Sequence, residues 1–287
     1  MRDFVIFTDS SADLTREMSE ELGLRTISLD VIVEGEEPTP NDQVDIKEIY
    51  AKLRAKNGAS TSAVSIERFL SAFEAVAAEG LDILYLGFSS GLSGTFNAGS
   101  VAIRELSEKY PDRKLYAVDT LCASMGQGLL VYLAAKKKQT GADIDTVKQY
   151  AESLIPNLCH WFTVDDLFFL KRGGRVSAAT AVVGTMLSIK PVMHVDNAGK
   201  LINVLKVRGR KAAIDTMFEK MKTTLLPNVN ETVFISHGDC IEDAEYLANR
   251  IRTELNIHDV HINYVGAVIG SHSGPGTLAL FFLGNER

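Results

Sequence analysis

The chain has 287 residues, 46% of them hydrophobic and 23% charged, with a formal net charge of −7. That balance fits a globular fold of about two domains. It is too apolar for a disordered chain and lacks the basic footprint of a nucleic-acid binder. Cys122, Cys159 and Cys240 share no metal-like spacing and suit a reducing compartment better than a disulfide scaffold. The opening run MRDFVIFTDSS turns polar too soon for a signal peptide, and no segment approaches the ~20 apolar residues of a membrane span. The expected location is cytoplasmic, without stable membrane insertion.

Short apolar runs alternate with amphipathic stretches, the pattern of an α/β fold. DFVIFTDSS predicts a strand leaving a polar loop, and SADLTREMSEELG a helix capped by Ser11 or Asp13 and stopped by Gly23. LRTISLDVIV is one strand region. IKEIYAKLRAKNG and IERFLSAFEAVAAEG are helices flanking a polar loop, STSAVS, with Ser65 a cap for the second. DILYLGFSS is a buried strand, followed by the loop GLSG and a helix through Lys109. KLYAVDT repeats that arrangement before a small-residue helix start at ASMGQG, and Lys136–Lys138 is a solvated helix end. Three strands thus end in polar residues, where open parallel sheets bind ligands.

Composition shifts near residue 160, so the expected division is 1–160 and 161–287. HWFTVDDLFFLKRGGRVS leads to an apolar helix at AATAVVGTMLS, then two strands around a turn in IKPVMHV–NAG–KLINVLKVR. A helix through Lys222, the strand ETVFISHGD, another helix and the terminal apolar run after SHSGPG complete the pattern.

Ser93, in SSGLSGTF, follows a strand and precedes a helix, but the second glycine comes one residue too early for a nucleophile elbow. Three roles stay open for it: helix cap, holder of an anion at the helix N-terminus, or nucleophile. Thr61 precedes the cap of its helix, so its hydroxyl is free for other work. GGRVS and SHSGPG are glycine-rich turns without the spacing of a phosphate loop. His272, read as lying in a flexible loop, is the best-placed histidine, whereas His237 reads as structural. Arg208 supplies a fixed positive charge for a buried anion. Cys159-His160 is half a metal site that nothing nearby completes, so no metal is expected.

Taken in order, FTDSSADL, STSAVS, SSGLSGTFNA, AVDTLCASMGQG, TVDDLFFLKRGGRVS, IKPV, KVRGRKA, SHGD and GAVIGSHSGPG resemble the DegV family of fatty-acid-binding proteins along essentially the whole chain. The resemblance implies a two-domain α/β fold, with an N-terminal three-layer parallel sheet and a C-terminal mixed sheet closing over the ligand. It implies one long-chain fatty acid, such as palmitate, with its carboxylate held by Thr61 and Ser93. His272 and Arg208, with Gly94 and Ser124, are the implied supporting positions. AATAVVGTMLSIKPV, Phe168 and Phe169 are candidate walls for the tail. No catalytic residue and no cofactor are implied; a separate ATP-dependent fatty acid kinase would phosphorylate the bound acid.

The chain departs from the family where Val64, Ile66 and Ala267 replace usual prolines and Asn197-Ala198-Gly199 replaces an Asp-Gly turn. The competing functions are a serine hydrolase of acyl esters and a substrate subunit like that of dihydroxyacetone kinases, which traps its substrate covalently on a histidine.

Overall fold

The computed structural model describes residues 3–177, 188–227 and 229–287. In the first lobe β1 (Phe4–Asp9), β2 (Leu24–Ile27), β6 (Asp82–Gly87) and β7 (Leu115–Asp119) form a parallel sheet in the order β2-β1-β6-β7. Its central strands are apolar at successive positions because helices cover both faces. Phe7, Ile83 and Tyr85 pack under α3 (Ile66–Ala78) and α4 (Thr95–Lys109). Ile6, Leu84 and Leu86 alternate with them and pack under α5 (Met125–Gln139) and α6 (Ile144–Leu154).

Three expectations are corrected in this lobe. Thr15, not Ser11 or Asp13, caps α1 (Arg16–Glu21): its hydroxyl accepts from the Met18 N–H at 3.1 Å. LRTISLDVIV is not one strand. It divides at Ser28-Leu29 between β2 and β3 (Asp30–Val33), which lie in different sheets. The polar segment expected as a loop supplies β5 (Ala59–Ser62), paired with β3 in a small antiparallel sheet completed by β4 (Thr39–Pro40). Ser65 does cap α3, accepting from the Arg68 N–H, and Asp45 caps α2 (Ile46–Arg54).

The second lobe is a six-stranded mixed sheet in the order β10-β9-β8-β13-β11-β12. Its strands are β8 (Leu158–Thr163), β9 (Ile189–Val195), β10 (Leu201–Arg208), β11 (Thr232–His237), β12 (Asp259–Tyr264) and β13 (Leu278–Leu283). The expected boundary at residue 160 falls inside β8, since this sheet already begins at Leu158. The outer face packs under α8 (Arg210–Thr224) and α9 (Ile241–Glu254). The inner face, including Phe162, Met193, Phe234 and Phe281, turns toward α5 of the first lobe and α7 (Leu167–Arg172). The apolar helix expected at 178–188 lies, apart from Ser188, outside the described residues.

Two close approaches lock the lobes together. The β9–β10 hairpin tip presents the Gly199 carbonyl to the Ser89 hydroxyl at 2.8 Å, and a Cβ on Gly199 would stand 2.1 Å from that oxygen. On the other side, GAVIGSHS is α10 (Ala267–Ser273), so His272 is helical rather than in a loop. Tyr50 of α2 donates to the Val265 carbonyl at 2.8 Å, and a Cβ on Gly270 would meet the same phenol oxygen at 2.6 Å.

Candidate functional site

A cavity of about 170 Å³ lies where the strand ends of the first lobe face the inner side of the six-stranded sheet. An apolar cavity of about 150 Å³ already admits benzene, so there is room for a non-polar ligand. Leu29, Phe88, Phe162, Leu170, Val268 and Phe281 supply apolar wall. Thr61, Ser93, Gly94, Ser124 and His272 all reach it, although Thr61 and His272 are 211 residues apart in sequence.

Thr61 is held on β5, where its Oγ1 lies 2.8 Å from His272 Nε2. Burial, then the charges of Arg175 and Arg172, push the His272 imidazolium down to about 4, so the ring is neutral at pH 7. Its Nδ1 is buried with no hydrogen-bond partner among the described residues. A hydrogen on Nδ1 would be an orphaned donor, so the network favours the Nε2–H tautomer. Nε2–H then donates to Thr61, and the Thr61 hydroxyl hydrogen is free to point at an anion.

Ser93 sits just ahead of α4. Its Oγ accepts from the Thr95 N–H at 3.2 Å and lies 3.0 Å from Thr95 Oγ1. Among the described residues its hydrogen bonds are to Thr95, the contacts of a hydroxyl at a helix end. Gly94, the residue at the helix N-cap, offers no side chain; a Cβ there would meet nothing within 4 Å. The N-terminus of the 15-residue α4 thus lies at the cavity through Ser93 and Gly94, with the Thr95 N–H already taken by Ser93 Oγ.

The cation at this cavity is Arg175, not Arg208. Arg208 ends β10, an edge strand, where it is exposed and absent from the lining. Arg175 lines the cavity and is anchored by its Nε donating to the Leu92 carbonyl at 3.2 Å. Burial lowers its pKa, which marks a charge partly withdrawn from water. Among the described residues the lining has no carboxylate, so its electrostatics suit an anion. The sequence signal was GGRVS, where a cation follows a Gly-Gly turn, but only the tertiary fold tells Arg175 from Arg208.

Other polar groups among the described wall residues, Ser236, Ser273 and Thr277, were not expected from the sequence. Ser273 Oγ is buried without a partner among the described residues, and Ser236 lies on β11 among apolar neighbours. Of the expected tail-wall residues, Phe168 is 58% exposed and neither it nor Phe169 lines the cavity. A second depression, between the β1 loop and the β12–α10 junction, mixes apolar wall such as Leu14, Val44 and Ile46 with the charged Asp9, Asp13, Arg16, Glu20 and Asp42.

The fold and this cavity define a two-lobed α/β protein whose described residues line a largely apolar pocket with hydroxyls, a helix N-terminus and the Arg175 guanidinium. The chain belongs to the DegV family, whose model, described as "Uncharacterised protein, DegV family", matches residues 3–285. A DegV domain-containing protein of Clostridium perfringens is 46% identical over 100% of this chain and 99% of its own length. Among solved structures, a DegV family protein from Thermus thermophilus, described for its fatty acid binding, is 29% identical with a TM-score of 0.87, covering 99% of this chain and 100% of its own. DegV from Bacillus subtilis, described as a fatty acid binding protein, is 26% identical with a TM-score of 0.85 over 99% of this chain and 100% of its own. No helix among the described residues is long and apolar enough to cross a membrane.

Proposed function

We propose that this protein is a non-catalytic carrier of one long-chain fatty acid, whose carboxylate is held by Thr61 and Ser93 and whose tail lies between the lobes. The observation that carries the reading is the meeting of Thr61, Ser93, the α4 N-terminus and Arg175 on one cavity whose remaining wall is largely apolar. Related structures described as fatty acid binding support it.

The energetics agree. A tail of about fourteen methylenes is longer than the 170 Å³ cavity holds as it stands; enclosed in full by the lobes it yields roughly 11 kcal/mol gross at ~0.8 kcal/mol each and supplies most of the affinity. The head group must chiefly avoid being buried unpaired, which costs several kcal/mol. Hydroxyls and N–H groups meet that need with charge-assisted hydrogen bonds.

His272 and Gly94 support the carboxylate in this reading, Ser124 belongs to the wall, and Arg175 takes the part expected of Arg208. The lobe beginning near residue 160 closes over the chain, and the three free cysteines fit a cytoplasmic setting. Delivery of the bound acid to a separate ATP-dependent kinase is part of the proposal and rests on the family resemblance. The test is equilibrium titration with palmitate: Ser93→Ala and Thr61→Val should each weaken binding by roughly tenfold or more. Unchanged affinity in both variants would remove the carboxylate from this end of the cavity.

A further inference from the structure

Ser236 is one of three buried polar residues on β11, with Thr232 and His237. β11 is buried along its whole length, and such strands are normally apolar throughout. On the inner face Ser236 pairs across to Ala279, which pairs in turn with Phe162, and Phe234 lies two residues back on the same face. Ser236 thus sets a hydroxyl beside the apolar Ala279 and Phe162 of the cavity wall, with the polar Asn263 of β12 on its other side.

That hydroxyl is positioned from behind. Ser236 Oγ lies 3.0 Å from Ser124 Oγ, and Ser124 Oγ donates to Asp13 Oδ2 at 2.5 Å, the short separation of a hydroxyl on a carboxylate. Backbone strain converges on this chain of contacts. Asp13 has φ +51°, and Ser124 combines φ +53° with ψ −149°, conformations that L residues rarely adopt. Ser124 also occupies the N-cap position of α5 yet caps nothing with its side chain. Its hydroxyl goes to Asp13 instead.

With the Ser124 hydrogen on Asp13, the Ser236 hydrogen goes to Ser124, and the Ser236 lone pairs face the cavity. With a proton on Asp13 the chain reverses, and Ser236 turns a hydrogen outward. A methylene satisfies neither arrangement; a ligand hydroxyl, donor and acceptor at once, satisfies both. We propose that Ser236, oriented through Ser124 by Asp13, is a polar subsite in the acyl wall, and that the ligand it takes is a fatty acid bearing a hydroxyl part-way along its chain. This rests on the fatty acid reading and names the ligand class more narrowly.

The test is equilibrium binding of palmitate and a series of positional isomers of hydroxypalmitate to the full chain. An apolar wall penalises every buried hydroxyl by about tenfold or more. The subsite predicts one isomer that binds at least as tightly as palmitate while its neighbours are about tenfold weaker. Ser236→Ala should make that isomer as weak as its neighbours. Asp13 is a positioning residue, so Asp13→Ala should lose the preference and Asp13→Asn, which still pairs with Ser124, should restore it.

A uniform penalty for all isomers overturns the proposal. So does a Ser236→Ala variant that loses stability but keeps the order of isomers, the result expected if these residues only tie the lobes together. Binding of one hydroxy isomer without palmitate would uphold the subsite and displace the unsubstituted ligand. Failure of every acid overturns both readings.

Discussion

Replacing Asp13 by Asn should stabilise the protein near pH 8 and leave its stability unchanged near pH 4. Asp13 is buried, and desolvation, reinforced by the negative charge of Asp9 and only partly offset by hydrogen bonds from Ser124 and Gly266, raises its carboxyl from 3.8 to about 7. Asp9, Arg16, Glu20, Asp42 and Tyr264 face the same cleft, so the variant must be compared with the parent at each pH. Below the unfolded value of 3.8 both states are protonated and the carboxyl makes no demand on folding. As the pH climbs, the unfolded chain ionises first; stability falls until the folded carboxyl also ionises at about 7, and then levels. At about 1.4 kcal/mol per pH unit, that interval corresponds to roughly 4 kcal/mol, an upper bound on what Asn recovers. Urea denaturation of both proteins at about pH 4, 6 and 8 reads the difference directly. A gain at pH 8 that shrinks through pH 6 and vanishes at pH 4 is expected. Equal effects at all three pH values would refute the reasoning.

Other outcomes follow from the same geometry. Arg175→Gln should weaken fatty acid binding by several-fold, and Arg208→Gln should leave it unchanged, as isothermal titration of both will show. His272, held down to about 4, favours folding above its unfolded value of 6.5 and withdraws that stability as the pH falls toward 4. The His272 ring followed by NMR between about pH 5.5 and 8 should accordingly not titrate; a midpoint near 6.5 in its own signals would contradict its buried, neutral state. Gly199→Ala should destabilise the protein, because Gly199 has φ +70° and its Cβ would collide with Ser89. Thermal unfolding checks this, and an unchanged Tm would show that the hairpin tip does not clamp the SSGLSGTF loop.

Much of the first lobe was legible because its physics is local. Strands apolar at every position announce helices on both faces, and Ser65 announces α3. What misled was glycine and small polar residues serving packing rather than turns. Gly266, Gly270 and Gly274 make GAVIGSHSG read as a loop, yet Gly270 lies inside α10 because Tyr50 leaves no space for a Cβ. STSAVS lacks strong strand formers at its start, and β5 exists because β3 is there to pair with it. The family resemblance singled out Thr61 and Ser93, both of which line the cavity, while local chemistry left cap, anion holder and nucleophile open for Ser93. Arg175, Ser236 and Ser273 depend on which side chains of distant segments face one cavity, and no local pattern encodes that.

The central claim is tested most directly by native mass spectrometry of the purified protein incubated with palmitate, followed by denaturation and solvent extraction. A carrier gives one fatty acid per chain, lost on denaturation and recovered intact. A protein that takes up no lipid, or an acyl or histidine adduct that survives denaturation, would contradict it.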